Sequence, residues 1–322
     1  MNGVVGIPQS LAQAGKDYLT AHGLKTVELT SLKATDIAVQ VPQADALILL
    51  TDPFDTAVAA RLPNLKIIAR HGVGIDNVDP LALARRGVWV TNTPNANAST
   101  VAETTLAEIL DVSKNVTRAS IQMRRGNFAY RSNHMGFDLS GKRLGIMGYG
   151  RIGRLVAQKA SVLGMTVLIY DPTAQQTDVG TLVDRETLLR AADIVTLHMA
   201  VTPENKRGID ARSLALMKKS AVLINLGRGV LIDTPALIAA LKSGELSQAA
   251  LDVYDEEPLP MTSELYQLDN VLLTPHIASN TFEARSRMAR DAASEVVRVL
   301  AGDQPQWPVN RPAKPRQSNK LK

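Results

Sequence analysis

The residues that decide the fold are 143–171, which read RLGIMGYGRIGRLVAQKASVLGMTVLIYD. They predict a buried strand, a glycine-rich turn, a helix and a second strand that ends at Asp171. In such a turn Gly148 allows a tight reversal, Gly150 lets the backbone approach a pyrophosphate, and Gly153 lets the helix pack closely on the strand. The free N–H groups that begin the helix favour phosphate binding. A carboxylate at Asp171 would accept hydrogen bonds from ribose hydroxyls and repel a 2′-phosphate, so the stretch predicts an NAD site.

Short apolar runs alternate with helix-length segments on both sides of this stretch. Buried parallel strands have this nearly continuous apolar character, so the alternation predicts an α/β protein with parallel sheets. The predicted strands are 3–7, 46–50, 66–70 and 88–91, then 143–147, 167–170, 194–198, 221–225, 249–253 and 271–274. The predicted helices include 11–22, 80–86, 99–125 (capped by Ser99) and 282–300. Six strands in the second series make a full dinucleotide-binding sheet.

The composition limits the classes of function. With 322 residues, 45% of them apolar, the chain has the size of two domains and can bury a core. The absence of cysteine excludes disulfides, thiolate metal sites and a cysteine nucleophile, and it fits a reducing compartment. The start, MNGVVGIPQS, lacks the pattern of a signal peptide, and no apolar run reaches the roughly 18 residues of a membrane span. We therefore expect a cytoplasmic protein without a membrane span.

The net charge of +5 is concentrated in residues 311–322, RPAKPRQSNKLK. This segment has five basic residues and no acid, so the rest of the chain is neutral overall. A protein that tracks nucleic-acid phosphates usually spreads its basic residues over a folded face. We therefore expect a disordered basic tail and no nucleic-acid partner.

Several separate motifs resemble those of the D-isomer-specific 2-hydroxyacid dehydrogenases, which include phosphoglycerate dehydrogenase and glyoxylate/hydroxypyruvate reductases. Besides the phosphate loop, the motifs are RHGVGIDNVD (70–79), NTP (92–94), VAE (101–103), NLGRG (225–229), LDV (251–253), EP (257–258) and TPHI (274–277). The resemblance implies two Rossmann-like domains of the α/β class. Residues 98–282 would form the NAD-binding, doubly wound parallel sheet, and 1–97 with 283–322 a flavodoxin-like substrate domain. It also implies a homodimer formed through the NAD-binding domain.

Three residues match the chemistry that reduction of a 2-keto acid requires, and the resemblance gives them the catalytic positions. Arg228 is expected to bind the substrate carboxylate, because its planar guanidinium suits two-pronged binding. His276 is the expected general acid, and Glu257 is expected to fix its ring and favour the imidazolium. The resemblance gives the substrate-binding set as Arg70, His71, Val73, Gly74 and Arg228.

The resemblance also assigns residues to the cofactor. It implies that Asp252 orients the nicotinamide carboxamide and that His198 and Thr202 lie beside the adenosine. The predicted set is Gly148, Gly150, Arg151, Ile152, Gly153, Asp171, His198, Thr202, Leu226, Gly227, Asp252, His276 and Ser279. No metal site is predicted, because the sequence contains neither H-E-x-x-H nor an acidic metal loop.

The choice of substrate rests on fewer residues. Leu50 stands at or near the place where phosphoglycerate enzymes have a phosphate-binding arginine, which favours glyoxylate or hydroxypyruvate over 3-phosphoglycerate. Because Arg70 is present, a substrate with a second anionic group remains an alternative. His71 replaces a small residue of the family, and it would either contact the distal end of the substrate or pack behind the loop. Glu257 excludes the formate dehydrogenases, which have glutamine there.

Two other classes of protein remain alternatives. A non-catalytic NAD-sensing protein can retain both the fold and the catalytic residues. A dehydrogenase of another type, such as one acting on an amino acid, fits less well with Arg228, Glu257 and His276 in this order.

Overall fold

The computed structural model describes residues 3–316. The described chain forms two compact units: residues up to Asn97 together with those from Asn280 onward, and Ala98–Ser279. The chain thus returns to the first unit three residues before the predicted position 283. Within residues 3–316, no helix is long and apolar enough to cross a membrane.

The described residues contain twelve strands and ten α-helices. In chain order these are β1 (Val4–Pro8), α1 (Gln13–Ala21), β2 (Lys25–Leu29), α2 (Ala34–Gln40), β3 (Ala46–Leu49), β4 (Ile67–Arg70), α3 (Pro80–Arg85), β5 (Trp89–Thr91), α4 (Ala98–Lys114), α5 (Val116–Arg124), β6 (Arg143–Met147), α6 (Arg151–Val162), β7 (Thr166–Tyr170), β8 (Thr181–Leu182), α7 (Arg185–Ala191), β9 (Ile194–Leu197), α8 (Ala211–Leu216), β10 (Val222–Asn225), α9 (Thr234–Ser243), β11 (Gln248–Leu251), β12 (Val271–Leu273) and α10 (Phe282–Ala301).

The first unit is built on a parallel sheet of five strands in the order β2-β1-β3-β4-β5. This is the order of flavodoxin-like sheets. An apolar core covers each face, one of them under α1 and α10. In α1, a Cβ added to Gly15 would lie 2.8 Å from the carbonyl oxygen of Ala289, so glycine permits the close approach of α10. Because both faces are covered, the central strands are continuously apolar.

The second unit contains a parallel sheet of seven strands in the order β12-β11-β10-β9-β6-β7-β8. Helices α4 and α6 pack on one face, and α7, α8 and α9 pack on the other. The chain runs outward from β6 to β8 and then returns to add β9 on the opposite side of β6. Ligands of open α/β sheets bind outside the carboxyl ends of the strands at such a change of direction. The glycine-rich turn follows β6 and therefore lies at this position.

The prediction of one long helix over 99–125 is wrong. Helix α4 ends at Lys114 and α5 starts at Val116, because Asn115 between them takes the left-handed conformation, with φ 54°. The predicted cap at Ser99 is also wrong, since the helix already includes Ala98. The Ser99 hydroxyl instead donates to Glu103 Oε1 at 3.1 Å on the exposed side of α4.

The prediction gave no bounds for two short strands, β2 and β8, or for helices α2, α7, α8 and α9. Strand β2 reads KTVEL and lies at the edge of its sheet, so its charged residues hide the apolar pattern of a buried strand. Strand β8 has only two residues, too few for any periodicity.

The predicted disorder of the basic tail is wrong for residues 311–316, whereas 317–322 lie outside the described residues. The Arg316 guanidinium donates to the carbonyl oxygens of Leu62, Pro63 and Leu65 at 3.0, 3.1 and 3.0 Å. It also donates to Arg86 O at 2.9 Å. These four carbonyl oxygens belong to the first unit, and their hydrogen bonds fix the Arg316 side chain against that unit.

Candidate active site

Most predicted site residues of the second unit directly follow the carboxyl ends of parallel strands. Parallel strands end at the same edge of a sheet, so the structure brings these residues together along one edge. They are Gly148 after β6, Asp171 after β7, His198 after β9, Leu226–Arg228 after β10, Asp252 after β11 and His276 after β12. The predicted residues Arg70–Gly74 follow β4 in the first unit.

The phosphate loop has the backbone that its glycines predict. Gly148 has a φ of +98°, and an added Cβ would lie 2.6 Å from the carbonyl carbon of His198. A Cβ at Gly153 would collide with the carbonyl oxygen of Gly148. At Gly150 a Cβ would meet no atom of the described chain within 4 Å, so this side of the loop is open. Helix α6 begins next to it at Arg151, and the described chain offers no side-chain cap there. The loop therefore fits a pyrophosphate.

Asp171 is a fixed anion at the end of β7. Its Oδ2 accepts from the Tyr149 N–H at 2.7 Å, and Oδ1 accepts from the N–H groups of Thr173 at 2.8 Å and Ala174 at 3.2 Å. The Thr173 hydroxyl adds a bond of 2.7 Å. Burial raises the pKa of Asp171, but these hydrogen bonds outweigh it and hold the pKa below its ordinary value. A fixed negative charge therefore stands at the carboxyl end of β7, bonded to the phosphate loop at Tyr149.

The remaining predicted cofactor residues flank this edge. Burial lowers the pKa of His198 to about 4, so its ring is neutral, and Nε2 lies 3.0 Å from Thr196 Oγ1. The Thr202 N–H donates to Asn205 Oδ1 at 2.8 Å. Leu226 is buried in the core under α4 and α6, and Ile152 packs against that core. Arg151 is exposed and Ser279 is half-buried.

His276 and Glu257 form a direct pair. His276 Nδ1 lies 2.7 Å from Glu257 Oε2, and because a carboxylate can only accept, Nδ1 is the donor. The other carboxylate oxygen, Oε1, accepts from the Tyr254 N–H at 3.1 Å. Burial raises the pKa of Glu257, but the bonds from His276 and Tyr254 and the charge of Arg228 lower it below its ordinary value. The pair leaves Nε2 as the ring nitrogen for chemistry.

The backbone around His276 is held by Asp252. This carboxylate is fully buried and accepts from the N–H of Ile277 at 2.7 Å and of Ala278 at 2.8 Å. The His276 N–H donates to the Asp252 carbonyl at 3.0 Å. His276 itself has a φ of 53°, a strained conformation for a residue with a Cβ. Asp252 therefore stabilises the conformation that presents the imidazole.

Arg228 lies in a turn that Asn225 fixes. The buried Asn225 side chain accepts from the Gly227 N–H at 3.0 Å and donates to the Arg228 carbonyl at 2.8 Å. Arg228 Nη1 donates to the carbonyl oxygen of Gly227 at 2.7 Å. A Cβ at Gly229 would collide with the backbone carbonyl of Tyr254, so glycine brings this turn against the segment that carries Glu257.

The loop after β4 uses its polar side chains internally. Arg70 is buried, and it donates to Asn77 Oδ1 at 3.0 Å and to the His71 carbonyl at 2.7 Å. Asn77 in turn donates to the Leu50 carbonyl at 2.9 Å. Within residues 3–316, no acceptor takes the N–H of Val73 or Gly74. Two adjacent N–H groups on a fixed loop are suited to binding a carboxylate.

The His71 ring is neutral and tied to α10. Its Nε2 lies 3.3 Å from the carbonyl oxygen of Arg285. Burial, with the nearby charge of Arg70, lowers the pKa of His71 to about 4. The ring thus makes a contact within its own unit, as expected of a packing residue.

Sequence reasoning missed three side chains that organise the second unit's edge: Asn225, Thr274 and Glu108. Glu108 had a readable signal, because an acidic residue there interrupts the apolar stripe of Val101, Ile109 and Val112 on α4. Asn225 and Thr274 had no signal beyond their positions at strand ends and in the NLGRG and TPHI motifs. The described residues hold no group of three His, Asp or Glu that would bind a metal.

Comparison with known proteins identifies the family. Residues 106–278 match the family model "D-isomer specific 2-hydroxyacid dehydrogenase, NAD binding domain". The chain belongs to the D-isomer-specific 2-hydroxyacid dehydrogenases. It is therefore an oxidoreductase of 2-hydroxy acids that uses NAD.

Relatives of this dehydrogenase cover most of the chain. It is 42% identical to a glyoxylate reductase from Thermofilum pendens over 83% of this chain and 81% of that protein. It is 37% identical to a D-3-phosphoglycerate dehydrogenase from Methanocaldococcus jannaschii over 91% of this chain but only 57% of that protein. A solved structure from Thermus thermophilus, 37% identical, gives a TM-score of 0.89 and covers 95% of this chain and 99% of its own.

Proposed function

We propose that this dehydrogenase reduces small 2-keto acids of the glyoxylate and hydroxypyruvate type with NADH. The observation that carries the proposal is the 2.7 Å bond between His276 Nδ1 and Glu257 Oε2. It provides a general acid whose ring is oriented by a carboxylate and whose Nε2 is left for the substrate.

The residues divide the reaction between binding and proton transfer. NADH, when bound, supplies the hydride. Arg228 binds the substrate carboxylate and polarises the ketone. His276 delivers the proton from Nε2 to the former ketone oxygen. Glu257 stabilises the protonated imidazole before transfer and keeps the ring oriented afterwards.

The absence of an arginine at position 50, beside the loop after β4, supports a small substrate without a phosphate. Leu50, rather than an arginine, stands beside this loop, and the Arg70 guanidinium bonds to Asn77 and the His71 carbonyl. The Thermofilum pendens relative is a glyoxylate reductase. A substrate phosphate would therefore lack the arginine that the phosphoglycerate enzymes place there.

A substrate panel tests this proposal. NADH oxidation is measured with glyoxylate, hydroxypyruvate, pyruvate, phenylpyruvate and 3-phosphohydroxypyruvate, and then repeated with NADPH. We expect glyoxylate or hydroxypyruvate to give the highest kcat/KM, with the phosphorylated acid at least about tenfold lower, the scale of one lost charged contact. A preference for the phosphorylated acid would make the chain a phosphoglycerate dehydrogenase. NADH binding without turnover of any acid would favour the NAD-sensing alternative.

We also propose that the enzyme is a homodimer, formed by the apolar surface of Val116, Ile121, Met123 and Phe128, here called the α5 surface. These side chains are 45–62% exposed. Among the described residues, α5 buries none of its side chains in its own chain. A nine-residue helix that buries none of its side chains is marginal in water, so a second copy is the occupant that would stabilise it.

Sedimentation of the wild type and variants tests the dimer. Ile121→Glu and Phe128→Glu should give monomers, while Val162→Glu should leave the dimer intact. Val162 is an 86% exposed apolar residue at the end of α6 and thus a matched control. The proposal would be contradicted if the wild type were a monomer, or if a variant carrying both Ile121→Glu and Phe128→Glu were still a dimer.

A further inference from the structure

Glu108 lies behind the catalytic edge and has no role in the proposed reaction. It belongs to α4 and is only 4% exposed. Its Oε1 lies 3.1 Å from Thr274 Oγ1, and the same hydroxyl lies 2.7 Å from Asp252 Oδ1. Within residues 3–316, Glu108 Oε2 is buried without a hydrogen-bond partner. One threonine hydroxyl thus stands between two buried carboxyl groups.

Counting protons shows which carboxyl group is neutral. A threonine hydroxyl has a single proton to donate, so it cannot bond to two carboxylate anions at once. Asp252 already accepts two backbone N–H groups, those of Ile277 and Ala278, and it makes the shorter contact with Thr274. Asp252 is therefore the anion that takes the hydroxyl proton. The contact with Glu108 then requires a proton on Glu108, which donates to Thr274 Oγ1.

The charges around Glu108 agree with this count. Burial, followed by the negative charge of Asp252, raises the pKa of Glu108 to about 8, and Asp111 on the same helix adds to the rise. The bond to Thr274 acts in the opposite direction but is smaller. The Tyr254 phenol also faces this region, and burial with the charges of Asp252 and Glu108 raises its pKa, so it stays neutral. At neutral pH Glu108 carries its proton.

We propose that protonated Glu108 is a positioning residue, which acts through Thr274 to hold Asp252 as a single, oriented anion at the nicotinamide side of the cofactor site. The proposal rests on the proposed function and on the role that the resemblance implies for Asp252, which is to orient the nicotinamide carboxamide. The order of the bonds is Glu108 to Thr274 to Asp252. Asp252 then accepts the N–H groups next to His276. If Glu108 lost its proton, two neighbouring carboxylate anions would compete for the single proton of the Thr274 hydroxyl. Asp252 would then no longer be held in one orientation.

The affinity for NADH as a function of pH tests the proposal. Binding is followed by nicotinamide fluorescence without any keto acid, so that proton transfer from His276 does not enter. In the wild type, we expect the affinity to fall above pH about 8, where Glu108 ionises. Glu108→Gln keeps a donor toward Thr274 and no charge, so its affinity should match the wild type at pH 7 and stay flat. Glu103→Gln, an exposed acid on the same helix, should behave as the wild type.

Removal of the donor gives the second arm of the test. Glu108→Leu should lower the affinity for NADH at pH 7 by up to about tenfold, the scale of one lost hydrogen bond between neutral groups. At the other end of the contact, Thr274→Ser should retain the wild-type pH profile, whereas Thr274→Val should not. The Thr274 pair keeps the test available if Glu108→Leu fails to fold.

Two outcomes would overturn the proposal: the same alkaline fall in Glu108→Gln as in the wild type, or equal loss in Glu108→Gln and Glu108→Leu. Because NADH binding is measured alone, a substrate panel without turnover would reject the proposed reaction and leave this result standing. If the wild type turned over a keto acid but bound NADH with the same affinity at every pH, the proposed reaction would stand and the role of Glu108 would be rejected.

Discussion

The loops that follow β4 and β10 contrast in how they use arginine. After β4, the Arg70 guanidinium bonds to Asn77 and to the carbonyl of its neighbour His71, which fixes the loop and leaves backbone N–H groups for a ligand. After β10, the Asn225 side chain fixes the turn, and Arg228 supplies the guanidinium. Asn77 accepts from the guanidinium of Arg70, whereas Asn225 accepts from a backbone N–H, so we propose Arg70 as the residue that fixes its loop and Arg228 as the residue that binds the ligand.

The largest expected effect concerns the reacting side of this comparison. His276→Ala should lower turnover by at least about a hundredfold while the variant still binds NADH, because the general acid is lost. His134→Ala, an exposed histidine of the same unit, serves as the control. Steady-state turnover and NADH titration check both statements. A variant with nearly wild-type turnover would remove His276 from the mechanism.

Replacement of each arginine by lysine sharpens the contrast directly. Arg70→Lys removes hydrogen bonds inside the loop, so it should lower the free energy of unfolding by about 2 kcal/mol and raise KM for the keto acid. Arg228→Lys should lower kcat/KM by about tenfold or more, because lysine cannot bind a carboxylate with two prongs. Its loss of stability should be smaller than that of Arg70→Lys, because Arg228 is half-buried whereas Arg70 is buried. Thermal unfolding and kinetics measured on both variants decide it. Equal losses of stability would show that the two arginines have the same role.

Asp171 tests whether a scaffold residue also selects the cofactor. Asp171→Ala removes the charge that would repel a 2′-phosphate, so the ratio of kcat/KM for NADH over NADPH should fall by about tenfold. Asp171→Asn is the matched variant, because its amide oxygen retains a hydrogen-bond acceptor for the Tyr149 N–H without the charge. An unchanged ratio in both variants would place Asp171 in loop stability alone.

His71 should contribute to the dependence of stability on pH in the acid range. Its pKa is lowered to about 4 in the folded chain, from 6.5. The stability that follows from this shift is present above pH 6.5 and is lost as the pH falls towards 4, because the unfolded chain binds the proton first. His71→Gln should therefore lose about 3 kcal/mol less stability than the wild type between these values, because one pKa unit corresponds to about 1.4 kcal/mol. Urea unfolding at several pH values, with His22→Gln as an exposed control, measures the difference.

The sequence was sufficient for the parts of the fold that repeat a strong local pattern. The strand at 143–147 was placed at its observed ends, and the glycines around it have the backbone that their positions required. Membership of the 2-hydroxyacid dehydrogenases and use of NAD were also predicted and are confirmed by the family match over residues 106–278. These features depend on backbone conformation and apolar runs, both of which are written locally in the chain.

Features that depend on distant partners were not predictable. The break at Asn115 depends on a left-handed conformation, which a sequence otherwise typical of helix did not reveal. The ordered Arg316 depends on carbonyl groups some 250 residues away, such as that of Leu65, with a sequence separation of 251. The hydrogen-bond chain from Glu108 through Thr274 spans 166 residues. A single sequence shows the two ends of such contacts without showing that they meet.

Because the first unit is discontinuous in sequence, it cannot complete its folding until late in synthesis on the ribosome. The face of the first sheet that carries Val5, Ile48 and Ile67 is covered by α10, whose residues are translated only after the whole second unit. The second unit is continuous and has all its strands once β12 has emerged. During synthesis, the part of this apolar sheet surface that α10 covers therefore stays exposed to solvent while some 180 residues, 98–279, are added. A nascent chain arrested just before residue 280 would present that surface to a ribosome-bound chaperone, and one that included α10 would not.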